Sequence, residues 1–146
     1  MKYQNIIKEE LKNKVAQDYF WLYDCSKRIG NVDFCVCMYQ SQKELFEQES
    51  LLWAEAKKGS SDIYKSIVQL ILTIGKARTF YKFLPPAMLG AFDGEKIAFI
   101  PYSDFFDIFC DLAITHYRRV KADAEKRIKS IEQFKDGGFQ NFRFIR

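Results

Sequence analysis

Histidine and metal-type cysteine pairs are nearly missing from this chain. His116 is the single histidine, and Cys25, Cys35, Cys37 and Cys110 contain no CxxC spacing. A zinc site with spaced His and Cys ligands therefore finds no support. Cys35 and Cys37 stand two apart in a segment that reads as a strand, so they share a face. The plain reading is two small buried thiols in a reducing compartment. No apolar run approaches the ~18–20 residues that span a bilayer. The N-terminus is rich in Lys and Glu and has no hydrophobic signal-peptide core. A cytoplasmic location with no membrane partner is the expectation. A GxxxxGK[ST] phosphate loop is also lacking, as are methyltransferase and helicase motifs.

What is present suits one folded domain. The 146 residues are 48% apolar, 16% aromatic and 29% charged. That composition can fill a core and is unlike that of disordered chains. The net charge of +4 is compatible with a polyanionic partner without demanding one. Its distribution is uneven: residues 115–135 carry seven Lys or Arg against three acids.

Residues 4–20 read as a helix, with Ile6, Ile7, Leu11 and Val15 at three-to-four spacing. Lys27-Arg28-Ile29-Gly30-Asn31 reads as a turn, and 32–39 as a buried strand. A polar connection over 40–50 leads to a second strand, 51–58, although Leu, Ala, Glu and Lys there are also good helix formers. Gly59-Ser60-Ser61-Asp62 breaks the pattern and offers helix caps. The next helix spans about 62–78, with Ile63, Ile67, Leu70, Ile71 and Ile74 as its apolar stripe and Lys65, Gln69 and Lys76 on the polar side. Leu84-Pro85-Pro86 stops helical continuation. Two apolar runs around Asp93-Gly94 predict a hairpin in which Asp93 is a turn residue. Residues 103–134 read as helix, and an aromatic tail follows Gly137-Gly138. The order implies an α/β or α+β fold with a mixed sheet.

One constellation carries chemistry. In strand 51–58, residues two apart project together, so Glu55 and Lys57 share a face with Trp53, and Ala54 and Ala56 face the other way. A Glu and a Lys closing an apolar strand need an explanation, because charges are rarely buried unless paired or metal-bound. Asp33 opens the preceding strand. If the two strands are neighbours, Asp33 meets Glu55 at one end of the sheet. Two close carboxylates repel, and each raises the other's pKa. A divalent cation removes that repulsion, and Mg²⁺ often binds through one or two carboxylates plus substrate phosphate. Lys57 can then orient water and neutralise charge developing on phosphate oxygens. Taken singly, Asp33 also reads as a turn residue and Glu55 with Lys57 as a solvated charge pattern.

At Gly30-Asn31-Val32-Asp33-Phe34 and Trp53-Ala54-Glu55-Ala56-Lys57-Lys58 the chain resembles the restriction-endonuclease-like nucleases, the PD-(D/E)XK superfamily. It is most similar there to nuclease domains of type I and fused type II restriction–modification proteins. The family pattern is an Asp opening one strand, Glu-x-Lys on the next, and a helix that often carries a Gln, here Gln69. Relatives often place a Tyr four residues after that Gln, where this chain has Thr73. The resemblance implies a restriction-endonuclease-like core over residues 1–112 with Asp33, Glu55, Lys57 and Gln69 as catalytic residues. Asp33, Glu55 and the Ala56 carbonyl would hold Mg²⁺, with Mn²⁺ able to substitute. The implied reaction is DNA phosphodiester hydrolysis giving 5′-phosphate and 3′-hydroxyl ends. Some members add an acid from the first helix, for which Glu9, Glu10 and Asp18 are candidates. Lys57, Lys58, Lys65, Lys76, Arg78 and Lys82 would contact phosphates. Methyltransferase or specificity subunits and a homodimer on DNA are the implied partners. Residues 113–146 would form an amphipathic helix and tail, either a connector to such partners or a helix packed on the same domain. A non-catalytic interaction module of the same fold and a junction or repair nuclease are the alternatives.

Overall fold

The computed structural model describes residues 3–39, 49–77, 79–105, 122, 126 and 132–135. Short apolar runs bounded by turns yield strands β1 (Phe34–Cys37), β2 (Ser50–Ala56), β3 (Met88–Phe92) and β4 (Lys96–Pro101). Period-3.6 patterning yields helices α1 (Lys8–Tyr19) and α2 (Ile63–Ala77), with a single further turn of helix, α3 (Thr79–Lys82). The strands and β5 (Glu132–Lys135) form one mixed sheet in the order β1-β2-β3-β4-β5. Only β2 and β3 run parallel; β1–β2, β3–β4 and β4–β5 are antiparallel. A parallel pair needs a crossover, and α2 with α3 supplies it. The class is α/β.

The sheet has an apolar layer on each face. Cys35, Cys37, Trp53, Leu89, Ala91 and Ile100 pack with Ile63, Ile67, Leu70, Ile71 and Ile74 of α2. Phe34, Val36, Leu52, Ala54, Ala56, Ile97 and Phe99 pack with Leu11 and Val15 of α1. Burial on both faces explains why β1 and β2 are apolar throughout instead of alternating with polar residues. Cys35 and Cys37 do share a face, and burial pushes the Cys35 thiol up to about 12. Asp62 caps α2 through Oδ1, which accepts the N–H groups of Tyr64 and Lys65 at 3.1 and 3.3 Å. Among the described residues no helix is long and apolar enough to cross a membrane.

Several expectations shift. Helix α1 starts at Lys8, leaving Ile7 extended and 63% exposed outside the buried stripe. Asn5, at φ 56°, makes a turn ahead of it. The helix expected over 103–134 is corrected at both ends. Tyr102–Phe105 is a 3₁₀ turn, and Glu132–Lys135 is strand β5, paired with β4 from Phe99↔Glu132 to Lys96↔Lys135. Without that pairing β4 would be a sheet edge with open N–H and C=O groups, and the ladder outweighs local helix preference. Between those two ends, positions 122 and 126 are helical as expected; the remainder of that segment and the tail, with Cys110 and His116, and most of the 40–50 connection lie outside the described residues.

The Asp93-Gly94 hairpin is a structural hub. Asp93 Oδ1 accepts the N–H groups of Glu95 and Lys96, the expected turn role. Oδ2 accepts from the Ser61 N–H, the Ser61 hydroxyl and the Lys96 ammonium, the last at 2.6 Å. Gly94 N–H donates to the Gly59 carbonyl at 2.7 Å, so the hairpin tip grips the segment between β2 and α2.

Two stability tests follow from these contacts. A Cβ at Gly90 would sit 2.7 Å from the Ala98 carbonyl oxygen of the neighbouring strand. Gly90→Ala should therefore cost roughly 1–3 kcal/mol in urea unfolding. Asp93→Ala strands the Lys96 ammonium, whose side chain is 10% exposed, and should cost roughly 3–5 kcal/mol. Burial pushes the Asp93 carboxyl up, but the Lys96 ammonium and the other donors outweigh it and hold the pKa below its usual value. Because the folded pKa is depressed, this stabilisation is present above the ordinary aspartate pKa. It is lost as pH falls through the folded value. The gap between wild type and Asp93→Ala should therefore narrow in acid, read by thermal melts across pH.

Candidate active site

The β1–β2 ladder pairs Phe34 with Ala54 and ends there. One residue before the ladder, Asp33 continues the connection with its side chain: Oδ2 accepts the Ala56 N–H at 3.2 Å. On its other edge β2 stays tied to β3, with the Lys57 N–H donating to the Phe92 carbonyl at 3.0 Å. A strand residue's N–H and C=O point to the same edge, so the Ala56 carbonyl is turned towards Asp33. Upstream, Gly30 adopts φ +52° and lets the chain turn into this position.

Asp33, Glu55, Lys57 and Gln69 line one cleft of about 590 Å³ at the carboxyl end of β2. Ligand sites in open α/β sheets commonly lie beyond such strand ends. Helix α2 contributes Gln69, Thr73 and Lys76 from one face, at helical spacing. Gln69 is exposed at the cleft wall, and Thr73 occupies the place where relatives of the resembled family often carry Tyr. Ala56 packs its methyl group into the α1-side core and is not among the residues that line the cleft.

Glu55 is the unusual group. It is 5% exposed, and its partner among the described residues is Lys57, whose Nζ lies 3.3 Å from Oε1. Burial raises the Glu55 pKa first and the nearby Asp33 charge raises it further, while Lys57 and Lys8 pull it down without cancelling the rise. The Asp33 charge therefore reaches Glu55, and burial leaves that carboxyl raised despite the lysines around it. Two hard-oxygen carboxylates and a carbonyl turned the same way fit the donor chemistry of Mg²⁺ or Mn²⁺. Among the described residues no group of three or more His, Cys, Asp or Glu side chains gathers as a metal cage. An open, two-carboxylate arrangement suits an ion that shares its coordination with substrate.

The first helix departs from expectation. Asp18 accepts the Tyr3 hydroxyl at 2.6 Å, and Glu9 pairs with Lys12 at 2.8 Å. None of Glu9, Glu10 and Asp18 lines the cleft; Lys8 does. Lys8 Nζ lies 2.7 Å from Asp33 Oδ2, and Lys12 Nζ donates to the Asp33 carbonyl at 3.1 Å. The sequence signal for this contact is a pair of lysines four apart on one helix face, Lys8 and Lys12. Asn31 and Ala77 also line the cleft and were not foreseen. Of the expected phosphate-contacting residues, Lys57 and Lys76 line the cleft. Lys58, Lys65 and Lys82 are exposed elsewhere, and Arg78 lies outside the described residues.

Comparison with protein-family models, curated proteins and solved structures finds no match.

A raised folded pKa on an acid means stability that is fully present below the ordinary glutamate pKa and falls as pH rises through the folded value. Glu55→Gln should thus stabilise the protein at neutral pH by roughly 0.5–2 kcal/mol. The gain should vanish near pH 4. Chemical unfolding of both proteins at pH 4 and pH 8 measures it, and a loss of stability at pH 8 would refute the electrostatic account.

Proposed function

We propose that the chain is a Mg²⁺-dependent DNA endonuclease domain with a restriction-endonuclease-like core. What supports the reading is one juxtaposition. An Asp opens one strand, Glu-x-Lys closes its antiparallel neighbour, and the following helix turns a Gln to the same cleft. That order is the pattern of the PD-(D/E)XK nucleases the sequence resembles.

Asp33, Glu55 and the Ala56 carbonyl would hold the ion. When bound, Mg²⁺ supplies Lewis-acid polarisation of the scissile phosphate and neutralises charge that develops on it. Lys57, with its charge at 3.3 Å, favours the ionised form of Glu55 against the effect of burial. With its side chain 36% exposed, it can also donate to an attacking water and orient it. Gln69 can hydrogen-bond either substrate or the Lys57 ammonium. Lys76 sets a phosphate in place but reads no sequence. Target choice and modification would lie with separate specificity and methyltransferase components. Cutting both strands would take a second copy of the domain or two successive nicks.

A specific observation favours a second reading, a non-catalytic DNA-binding module. The cleft lining holds three lysines against two carboxylates and can attract phosphate with no metal.

Supercoiled plasmid with Mg²⁺ or Mn²⁺ separates the two. The endonuclease reading predicts metal-dependent nicking that drops by on the order of 10²–10³-fold in Lys57→Ala and in Glu55→Ala. Activity shared equally by wild type and both variants would betray a contaminant and count against the enzyme. DNA binding without metal, unaffected by Glu55→Ala, would favour the module.

A further inference from the structure

Asp33 already has a cation. The Lys8 ammonium lies 2.7 Å from its Oδ2, on the same oxygen that accepts the Ala56 N–H. Lys8 is the first residue of α1. The start of a helix is the positive end of its dipole and favours acids, as Glu9 and Glu10 beside it illustrate. A lysine at that position is placed against the helix's own preference, and Asp33 is what compensates it. The pair is partly solvated, with side chains 41% and 21% exposed, so it is weak and easily exchanged.

The charge count sharpens the point. Lys8 balances Asp33, Lys57 balances Glu55, and Lys76 leaves a formal excess of one positive charge in the cleft lining. A divalent ion arriving alone would raise that excess to three and would meet Lys8 at ion-pair range on Asp33. A phosphodiester arriving with it supplies the anion that Lys8 would lose.

Building on the endonuclease reading, we propose that Lys8 is an exchangeable internal cation. It occupies Asp33 in the free protein and opposes the divalent ion, then passes to a backbone phosphate of bound DNA. Metal and DNA consequently bind with positive coupling, and the coupling is reciprocal. The free domain is thereby held weakly loaded, and phosphodiester is the ligand class that releases it.

The test is Mn²⁺ titration of the full chain, by calorimetry and by the electron paramagnetic resonance signal of free Mn²⁺. It is run with and without a duplex carrying non-cleavable phosphorothioate linkages. Wild type should bind Mn²⁺ roughly tenfold tighter with the duplex present, the scale of one screened charge contact. Lys8→Met should bind Mn²⁺ alone about tenfold tighter than wild type and lose most of the enhancement by DNA. Lys8→Arg should behave as wild type. Lys12→Met removes a neighbouring charge that touches only the Asp33 carbonyl among the Asp33 atoms, and should leave Mn²⁺ affinity within about twofold. Equal Mn²⁺ affinity in wild type and Lys8→Met overturns the exchange while leaving the endonuclease reading in place. An equal gain in Lys12→Met reduces the effect to general charge and also overturns it. Absence of Mn²⁺ binding in wild type and in Lys8→Met, both folded by circular dichroism, removes the metal reading and this inference with it.

Discussion

Where the β1–β2 ladder runs out, a side chain takes over from the backbone. The Asp33 carboxylate accepts the Ala56 N–H, a donor that the next ladder carbonyl would otherwise have taken. That bond sets Asp33 beside the end of β2 and next to the Glu55 carboxylate. It also holds the Ala56 backbone against Asp33, while the Ala56 side chain packs in the core. Lys57 follows because its own N–H remains in the ladder to β3 through Phe92. The end of β2 is thus clamped from both edges, and the charged groups converge because the backbone has no freedom to separate them. Preorganisation of this kind is what a site that stabilises developing charge requires.

Charge in the cleft is balanced by mobile partners. Lys8 and Lys57 each stand against one carboxylate, and both are exposed enough to move. Helix α2 contributes as a polar-face reading of the sequence suggests, and helix α1 does not. Helix α2 supplies uncharged Gln69 and Thr73 together with Lys76. Helix α1, on the far side of the sheet, reaches around the strand end with Lys8. The cleft is therefore an arrangement of partly exposed ion pairs at the carboxyl end of β2, suited to a ligand that brings charges of both signs.

The strands and helices near the site were legible because their signals were local. Asp62 caps α2 as the Gly59-Ser60-Ser61-Asp62 break indicates, the Asp93-Gly94 hairpin forms, and Glu55 projects away from Ala54 and Ala56 as period two requires. Asp33 was legible only in combination, since nothing in its immediate neighbours reports that its carboxylate completes a ladder. Lys8 was not legible. Local rules place acids at a helix start, and the reason for a base there is a carboxylate 25 positions away in sequence. Strand β5 failed for a similar reason. Glu132 and Gln133 favour helix locally, and the open edge of β4 that recruits them belongs to a segment some thirty residues earlier. Ile7 shows the smaller error of extending a periodic stripe past the turn that starts the helix.

Two buried carboxylates, both near the carboxyl ends of β2 and β3, respond to burial in opposite ways. Asp93 collects five hydrogen bonds, one from the Lys96 ammonium, and its pKa is lowered despite full burial. Glu55 has one lysine at 3.3 Å and a second carboxylate nearby, and its pKa is raised. Burial alone cannot distinguish them, so the number of donors decides. A saturated carboxylate has no reason to bind anything further, and Asp93 accordingly serves as a clamp on the segment that follows Lys57. An undersaturated one retains unspent affinity for a cation, at a cost to the fold. That cost is tolerable because the saturated group stands close by. The Asp93 hub holds Ser61 and Gly59, and so fixes the chain just beyond the end of β2. Stability concentrated in the hairpin is what permits an electrostatically unrelaxed cleft beside it.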